Sequence, residues 1–125
     1  MKTYRDLIVW QKAYTFTIDL YKSTGSFPRE EQYGLTSQIR RATVSITSNI
    51  AEGFGRSGNR EKDQFYAVAH GSLYEVESQL FIAKGVGYIS DDVHASLLSQ
   101  LEEVSRLLQG LRKANKQKGT DSSSI

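Results

Sequence analysis

The sequence predicts an all-α protein, an antiparallel up-down-up-down bundle of four helices, and three observations carry that prediction. Apolar residues recur every three to four positions in four separate segments, which is the period of a helix. No segment alternates polar and apolar residues as a half-buried strand does. The links between segments are short, and short links join antiparallel neighbours. Because 125 residues suffice for one core, we expect a single domain over residues 1–118 and a disordered tail over 119–125.

The first two helices are expected over about residues 6–23 and 29–52, separated by a break that contains Gly25 and Pro28. The first has an apolar face at steps of three and four, formed by Leu7, Trp10, Tyr14, Thr17 and Tyr21. The second has an apolar face formed by Leu35, Ile39, Ala42, Ile46 and Ile50. The glycine-rich run Gly53–Gly58 then predicts an exposed turn.

The third helix is expected over about residues 60–86 and has two apolar stripes. The first stripe consists of Phe65, Val68, Ser72, Val76, Gln79 and Ala83. The second consists of Tyr66, Leu73 and Leu80. Two stripes are more apolar surface than a small monomer buries, so we expect the second to form the interface of a closed homo-oligomer. The fourth helix, over about residues 91–118, has an apolar face formed by Val93, Leu97, Leu101, Val104, Leu108 and Leu111.

Composition excludes several classes of site and location. The chain has no cysteine, which excludes disulfides, thiolate metal sites and cysteine nucleophiles. Its two histidines, His70 and His94, lie outside any metal-binding spacing, so we expect no metal and no cofactor. The longest stretch without a charged residue, Gln64–Tyr74, has 11 residues, whereas a membrane span needs about 20. Since the N-terminus also lacks a secretory pattern, we expect a cytoplasmic protein that does not enter a membrane.

Catalysis is not expected either. The serines lack the G-x-S-x-G context of an activated nucleophile. The run Gly53–Gly58 fits the dinucleotide-binding pattern G-x-G-x-x-G, but it follows a helix rather than a strand, so that interpretation fails. Because no acid, base and nucleophile converge, we expect that the protein is not an enzyme.

The charge pattern gives the best functional lead. The net charge is only +2, yet residues 1–60 carry +4, residues 61–103 carry −6 and residues 104–125 carry +4. Up-down topology places the carboxyl ends of the second and fourth helices at the same end of the bundle. The candidate phosphate contacts at that end are Arg56, Arg60, Lys62, Arg112, Lys113, Lys116 and Lys118. The alternative is that these side chains only solvate the helix ends and favour the helix dipoles.

A polar stripe beside the apolar face of the second helix is a second candidate. Its members, together with Glu75 of the third helix, are Arg41, Ser45, Asn49 and Glu52. One interpretation is a buried structural network in which Arg41 meets Glu75 and fixes the register of the two helices. The other is a solvated face, and the sequence leaves both open.

The run Gln38–Gly53 reads QxRRAxxSIxxNIAEG, and it stands among further short motifs in a fixed order. These include Trp10-Gln11-Lys12-Ala13, Tyr33-Gly34-Leu35 and Gly87-Tyr88-Ile89. Over about residues 4–112 the sequence resembles the four-helix-bundle proteins encoded in intervening sequences of bacterial 23S ribosomal RNA genes. The same family includes accessory proteins of diversity-generating retroelements, which associate with a reverse transcriptase and nucleic acid.

This resemblance implies a pentameric ring of up-down bundles without enzymatic activity. It implies three kinds of partner: further copies of the chain, RNA or DNA, and a reverse transcriptase. We therefore expect a non-catalytic, oligomeric accessory protein that binds nucleic acid, structured RNA in particular, through its basic residues. The alternative is a homo-oligomeric scaffold for protein interactions that binds no nucleic acid.

Overall fold

A computed structural model describes the backbone of residues 2–123 and the side chains of residues 2–118. It has four α-helices: α1 (Ile8–Thr24), α2 (Leu35–Phe54), α3 (Asn59–Gly85) and α4 (Asp91–Ser123). Short 3-10 turns, Tyr4–Asp6 and Arg29–Glu31, precede α1 and α2, and no strand occurs within residues 2–123. The predicted all-α fold with four helices is confirmed.

Each helix packs against two of the others. The contacting pairs are α1 with α2, α2 with α3, α3 with α4 and α4 with α1, so α1 and α3 occupy opposite corners of the bundle. Along α3, the hydrogen bonds and ring contacts join Asn59 to Asn115, His70 to Ser105 and Phe81 to His94. The partners on α4 therefore run in the reverse order, which is the order that antiparallel neighbours give.

The carboxyl end of α4 differs from the sequence-based expectation. The helix continues to Ser123, past Gly119, where the sequence predicts that a disordered tail begins. Residues 124 and 125, the rest of that tail, lie outside the described residues. The boundary of the domain at residue 118 stays a prediction.

The core face of α1 is not the one that the sequence predicts. Val9, Ala13, Phe16 and Leu20 are buried, whereas Tyr14 of the predicted face is 50% exposed. Members of the predicted face lie about one-third of a turn from the true core face, since each residue turns the helix by about 100°. Two apolar stripes share α1, one buried in the core, the other rich in aromatic residues and partly exposed. We call the second one the α1 stripe; it consists of Trp10, Tyr14, Ile18 and Tyr21.

The two stripes predicted on α3 also exchange roles in part. Tyr66, Leu73 and Leu80 are each at most 3% exposed and belong to the core of the single chain. The prediction that they form a subunit interface is therefore wrong, because the chain's own helices cover them. Of the stripe predicted to face the core, Val68 is instead 53% exposed. The predicted apolar faces of α2 and α4 are buried through their central turns.

The start of α2 is fixed by one carboxylate at the end of the bundle where α1 stops. Glu31 accepts hydrogen bonds from the backbone N–H of Leu35 at 3.0 Å and from the hydroxyl of Tyr88 at 2.8 Å. These hydrogen bonds lower the pKa of Glu31, that from Leu35 most. A capping acid at a helix start satisfies an N–H that the helix itself leaves unpaired. The sequence predicts that this helix begins near Arg29, but it begins at Leu35.

Gly53 allows α2 and α3 to approach each other closely. A Cβ at this position would lie 2.6 Å and 2.9 Å from two ring carbons of Tyr66, and 3.1 Å from the carbonyl oxygen of Lys62. The Tyr66 ring is buried and has no room to retreat. A Cβ added to Gly71, in the middle of α3, would have nothing within 4 Å among the described residues.

We expect opposite effects when these two glycines are replaced by alanine. Gly53→Ala should lower the free energy of unfolding by about 1–3 kcal/mol, because the methyl group overpacks the contact with Tyr66. Gly71→Ala should raise it by about 0.5–1 kcal/mol, because alanine loses less backbone entropy in a helix. Urea unfolding of both variants beside the parent chain measures the two shifts. Equal shifts would contradict the close approach at Gly53.

Candidate nucleic-acid interface

The carboxyl ends of α2 and α4 meet the starts of α1 and α3 at one end of the bundle. The ammonium of Lys62 donates to the carbonyl oxygen of Phe54 at 2.6 Å, which joins α3 to the last turn of α2. The side-chain amide of Asn115 on α4 donates to the carbonyl oxygen of Asn59 on α3 at 2.8 Å. We call this the basic end, since it gathers the seven predicted phosphate contacts, Arg56, Arg60, Lys62, Arg112, Lys113, Lys116 and Lys118.

Arg56 has acidic partners within its own chain. Its guanidinium lies 2.8 Å from Glu52 and 3.5 Å from Glu61, and it stacks 4.5 Å from the centre of the Phe65 ring. Two carboxylates and an aromatic face already satisfy this cation. Its contacts hold the α2–α3 turn in place, and they also place Glu52 outside the polar network predicted on α2.

Lys62 also has a structural role. Besides Phe54, its ammonium reaches the carbonyl oxygen of Gly53 at 3.4 Å, and it lies 5.4 Å from the centre of the Phe54 ring. The last carbonyls of a helix lack intrahelical partners and attract a cation. Lys62 therefore caps the carboxyl end of α2.

Arg112 joins α4 to α3 through a two-pronged ion pair. Its Nε and Nη2 donate to the two carboxylate oxygens of Asp63 at 2.9 Å and 3.2 Å. This hydrogen-bonded pair lowers the pKa of Asp63 and raises that of Arg112. The third contact of the guanidinium, from Nη1, reaches Nδ1 of His70 at 3.2 Å.

Three of the other cations of the basic end are available to a ligand. Arg60, Lys113 and Lys118 are exposed and have no hydrogen bond or ion pair within the described residues. Lys116 lies near Asp63 and lowers the pKa of that carboxyl. Among the seven predicted residues, Arg56, Lys62 and Arg112 hold the fold, whereas Arg60, Lys113 and Lys118 face solvent and have no partner within the described residues.

His70 and Ser105 lie close enough to resemble a base and a nucleophile, with Nε2 and Oγ 3.3 Å apart. Arg112 has only donors, so Nδ1 of His70 must accept and the imidazole proton resides on Nε2. His70 then donates to Ser105 and cannot take its proton. The arrangement fixes a side chain rather than activating a nucleophile.

We expect His70 to make the fold sensitive to mild acid. Burial, and then the charge of Arg112, lower the pKa of His70 below its ordinary value of 6.5. Between the lowered value and 6.5 the unfolded chain binds a proton that the folded chain does not, so stability falls as pH falls through this range. His70→Gln, which keeps an acceptor for Arg112, should flatten this part of the profile. Urea unfolding from pH 8 to pH 5 tests it, and equal slopes in both proteins would contradict it.

An open cavity of about 500 Å³ lies at the basic end. We call it the end cavity; its walls include Leu7, Phe54, Tyr66, Leu111 and Asn115. None of these residues is predicted from the sequence to belong to a site. Asn115 could have been noticed in the sequence. It continues the three-and-four spacing of the apolar face of α4 after Leu108 and Leu111, although it is polar.

The described part of the chain contains neither a metal-ion cluster nor a membrane-spanning helix. Within it, no group of three or more His, Asp or Glu side chains is placed to hold a metal ion. No helix over the same residues is both long enough and apolar enough to cross a membrane.

The sequence model of one protein family, described as the 23S rRNA-intervening sequence protein, matches residues 5–110. The chain belongs to this family. No curated protein matches it. Among solved structures, it is similar to a protein of unknown function from the S23 ribosomal protein family of Bacteroides thetaiotaomicron. The TM-score is 0.76 and the identity 22%, with 85% of this chain and 99% of the other covered, so the likeness shows the fold.

The run in α2 by which the sequence resembles this family combines buried and exposed residues. Ile39, Ala42, Ile46 and Ile50 lie in the core. The predicted polar network exists in a reduced form: the hydroxyls of Ser45 and Ser72 lie 2.8 Å apart, and Asn49 donates to the carbonyl and the hydroxyl of Ser45. It links α2 to α3 without a charged member.

Arg41 and Glu75 do not form the predicted buried pair. Both are exposed; Glu75 accepts from Gln79 at 3.1 Å, and Arg41 has no hydrogen bond or ion pair within the described residues. In this family member the arginine therefore lies on a solvated face of α2.

We expect Arg41→Ala and Glu75→Ala each to change the free energy of unfolding by less than about 1 kcal/mol. Exposed charges contribute little even when they meet, because water screens them and long side chains lose entropy on pairing. Urea unfolding of each variant is the measurement. A loss above about 3 kcal/mol in either would indicate a buried unpaired charge and contradict the solvated face.

Proposed function

We propose that this chain is a non-catalytic, homo-oligomeric protein that binds structured RNA through phosphate contacts at its basic end. The observation that carries the proposal is that the basic end has three exposed cations, Arg60, Lys113 and Lys118, without a partner within the described residues. Unpaired cations at the end of rigid helices attract phosphates and release the counterions that surround nucleic acid. They position a backbone and do not by themselves read its sequence.

Oligomerisation would multiply this charge. One chain carries only +2 overall, which supports weak binding at most. Copies arranged around a ring would place several basic ends on one rim.

Two apolar patches on opposite sides of the bundle support a ring over a simple two-fold dimer. The α1 stripe lies toward α2, as the stacking of Arg40 on Tyr21 shows. A second patch, Tyr74 and Phe81 on α3, lies toward α4, because Phe81 packs against His94 of α4; Tyr74 stacks on His70 of its own helix. A ring needs two different surfaces on each subunit, whereas a two-fold dimer uses the same one twice. The number of five subunits comes from the family resemblance alone.

The arrangement at His70 and Ser105 supports a non-catalytic role, since the histidine donates where a catalytic base would accept. An association with a reverse transcriptase and a cytoplasmic location stay predictions from the sequence. The second candidate function is a homo-oligomeric scaffold for protein interactions, and the exposed aromatic α1 stripe is the observation that favours it.

Binding titrations with a structured RNA and a DNA duplex at several salt concentrations test the proposal. Light scattering of the same samples gives the particle mass, which we expect to be a multiple of 14.0 kDa. Binding should weaken steeply with salt, by about 0.7–0.9 in the log–log slope for each phosphate contact. No binding at about 50 mM salt by an intact oligomer would overturn the proposal and leave the scaffold, since phosphate contacts are strongest at low salt.

A further inference from the structure

The end cavity is lined by a tyrosine whose hydroxyl has no hydrogen-bond partner within the described residues. Tyr66 is only 3% exposed and lines the cavity, yet its hydroxyl makes no hydrogen bond within the described residues. The hydroxyl oxygen is not sealed from solvent, unlike the unpaired buried side-chain atoms of Thr36, Gln79 and His94, so a ligand in the open cavity can supply its hydrogen-bond partner. The Tyr66 ring packs directly against Gly53, because glycine has no side chain that would push the ring away. The hydroxyl is thus held at one place in the cavity wall.

Further polar groups stand around the same space. Asn115 donates its amide N–H to Asn59, which leaves its side-chain oxygen as an acceptor. Lys62 has three N–H donors, of which Phe54 and Gly53 take two. The cavity wall therefore offers a hydroxyl, an amide oxygen and one ammonium N–H, each with hydrogen-bonding capacity left.

The rest of the wall is apolar and partly aromatic. Leu7, Phe54 and Leu111 line it beside the Tyr66 ring. Lys118, which has no partner within the described residues, also lines it. A ligand that suits this set has a flat apolar body, hydrogen-bonding groups at its edge and an anionic group attached. A nucleotide has all three.

We propose that the end cavity takes the base of one unpaired nucleotide, with the adjoining phosphate on Lys118. The cavity, of about 500 Å³, has room for a base with its ribose. RNA is recognised mainly where unpaired bases leave the stack and lie against aromatic side chains. Burial raises the pKa of the Tyr66 hydroxyl, which keeps it a neutral donor toward the base edge. The basic end therefore prefers RNA with a bulge or loop to a uniform duplex.

This inference rests on the proposed function and extends it, and one experiment separates the two. Binding is measured for a perfectly paired RNA duplex and for the same duplex with a single-nucleotide bulge that carries 2-aminopurine. We expect the bulged RNA to bind roughly tenfold more tightly, since stacking of one base on aromatic side chains supports a factor of this size. The fluorescence of the 2-aminopurine should change when the complex forms.

Two variants test whether the preference for bulged RNA arises in the end cavity. Ala114 is exposed on α4 and lines the cavity, so Ala114→Trp should fill the opening without disturbing the core. It should abolish the preference for the bulge and leave the duplex affinity unchanged. The matched control is Ala95→Trp, at an exposed alanine near the other end of α4. Tyr66→Phe removes only the hydroxyl and should reduce the preference about threefold, the effect of one lost hydrogen bond.

Each outcome decides one of the two proposals. Equal affinity for bulged and paired RNA would overturn the nucleotide cavity and leave phosphate binding standing. A preference for the bulge that survives Ala114→Trp would also overturn it, because the base then binds elsewhere. Failure of both RNAs to bind would overturn the proposed function and this inference together.

Discussion

Replacing Arg60, Lys113 and Lys118 by alanine is expected to weaken the binding of structured RNA about 100-fold at about 0.1 M salt. Three lost phosphate contacts correspond to about two decades of affinity, since each contributes about 0.7–0.9 to the salt slope. The slope itself should fall by about two. Because these contacts read phosphates, the loss should be the same for RNAs of different sequence. Titrations at four salt concentrations give both quantities.

A matched control removes the same charge from the other end of the bundle. Lys22, Arg29 and Lys84 are exposed and lie near the end where α1 and α3 stop. Their triple alanine variant has the same net charge as the first, so a general effect of charge would weaken both proteins alike. We expect the control to retain most of the affinity. Comparable losses in the two triple variants would remove the basic end from the binding model.

The sequence predicts where the seven basic residues lie, but not which of them are paired with acidic side chains. Up-down topology was enough to predict that they share one end, because helix order and short links determine which helix ends meet. The separation of Arg56 and Arg112 from Arg60 was not predictable. It depends on where Glu52, Glu61 and Asp63 lie after folding, and such distances are set by the packing of whole helices.

The apolar faces show a similar limit. On α2 one stripe is apolar, and the sequence predicts the buried face correctly. On α1 and α3 two stripes compete, and periodicity cannot say which of them faces the core. Packing decides it: small Ala13 lies between Val9 and Phe16 in the core face of α1, while the bulky Tyr14 and Tyr21 remain outside. The partly exposed surplus stripe lies on α1 rather than at Leu73, and a subunit interface on it stays a prediction.

The end cavity was beyond sequence reasoning for another reason. Its wall combines residues from α2, α3, α4 and the segment before α1. None of them follows a motif of known chemistry, and Tyr66 has the spacing of an ordinary core residue. Only the folded arrangement shows that its hydroxyl has no partner among the described residues and that the ring lines this cavity.

The new assignment of stripes predicts a contrast between two variants. Leu73→Ala should lower the free energy of unfolding by about 2–5 kcal/mol, because it leaves a cavity in the core of each chain. The double variant Tyr14→Ser and Ile18→Ser should change the stability of the single chain by less than about 1 kcal/mol, since both side chains are partly in water. It should instead reduce the particle mass, because it removes the centre of the α1 stripe.

Light scattering and urea unfolding, each over a range of chain concentrations, distinguish these effects. An oligomer gains apparent stability with concentration, so the effect on the single chain is the one measured where light scattering gives 14.0 kDa. If Leu73→Ala dissociates the oligomer while its chains stay as stable as the parent, then Leu73 lies at an interface and the placement of α3 is wrong. If the double serine variant keeps the full particle mass, the α1 stripe is not the subunit contact. The ring would then have to be built on Tyr74 and Phe81, which the same measurement on Tyr74→Ser and Phe81→Ser would decide.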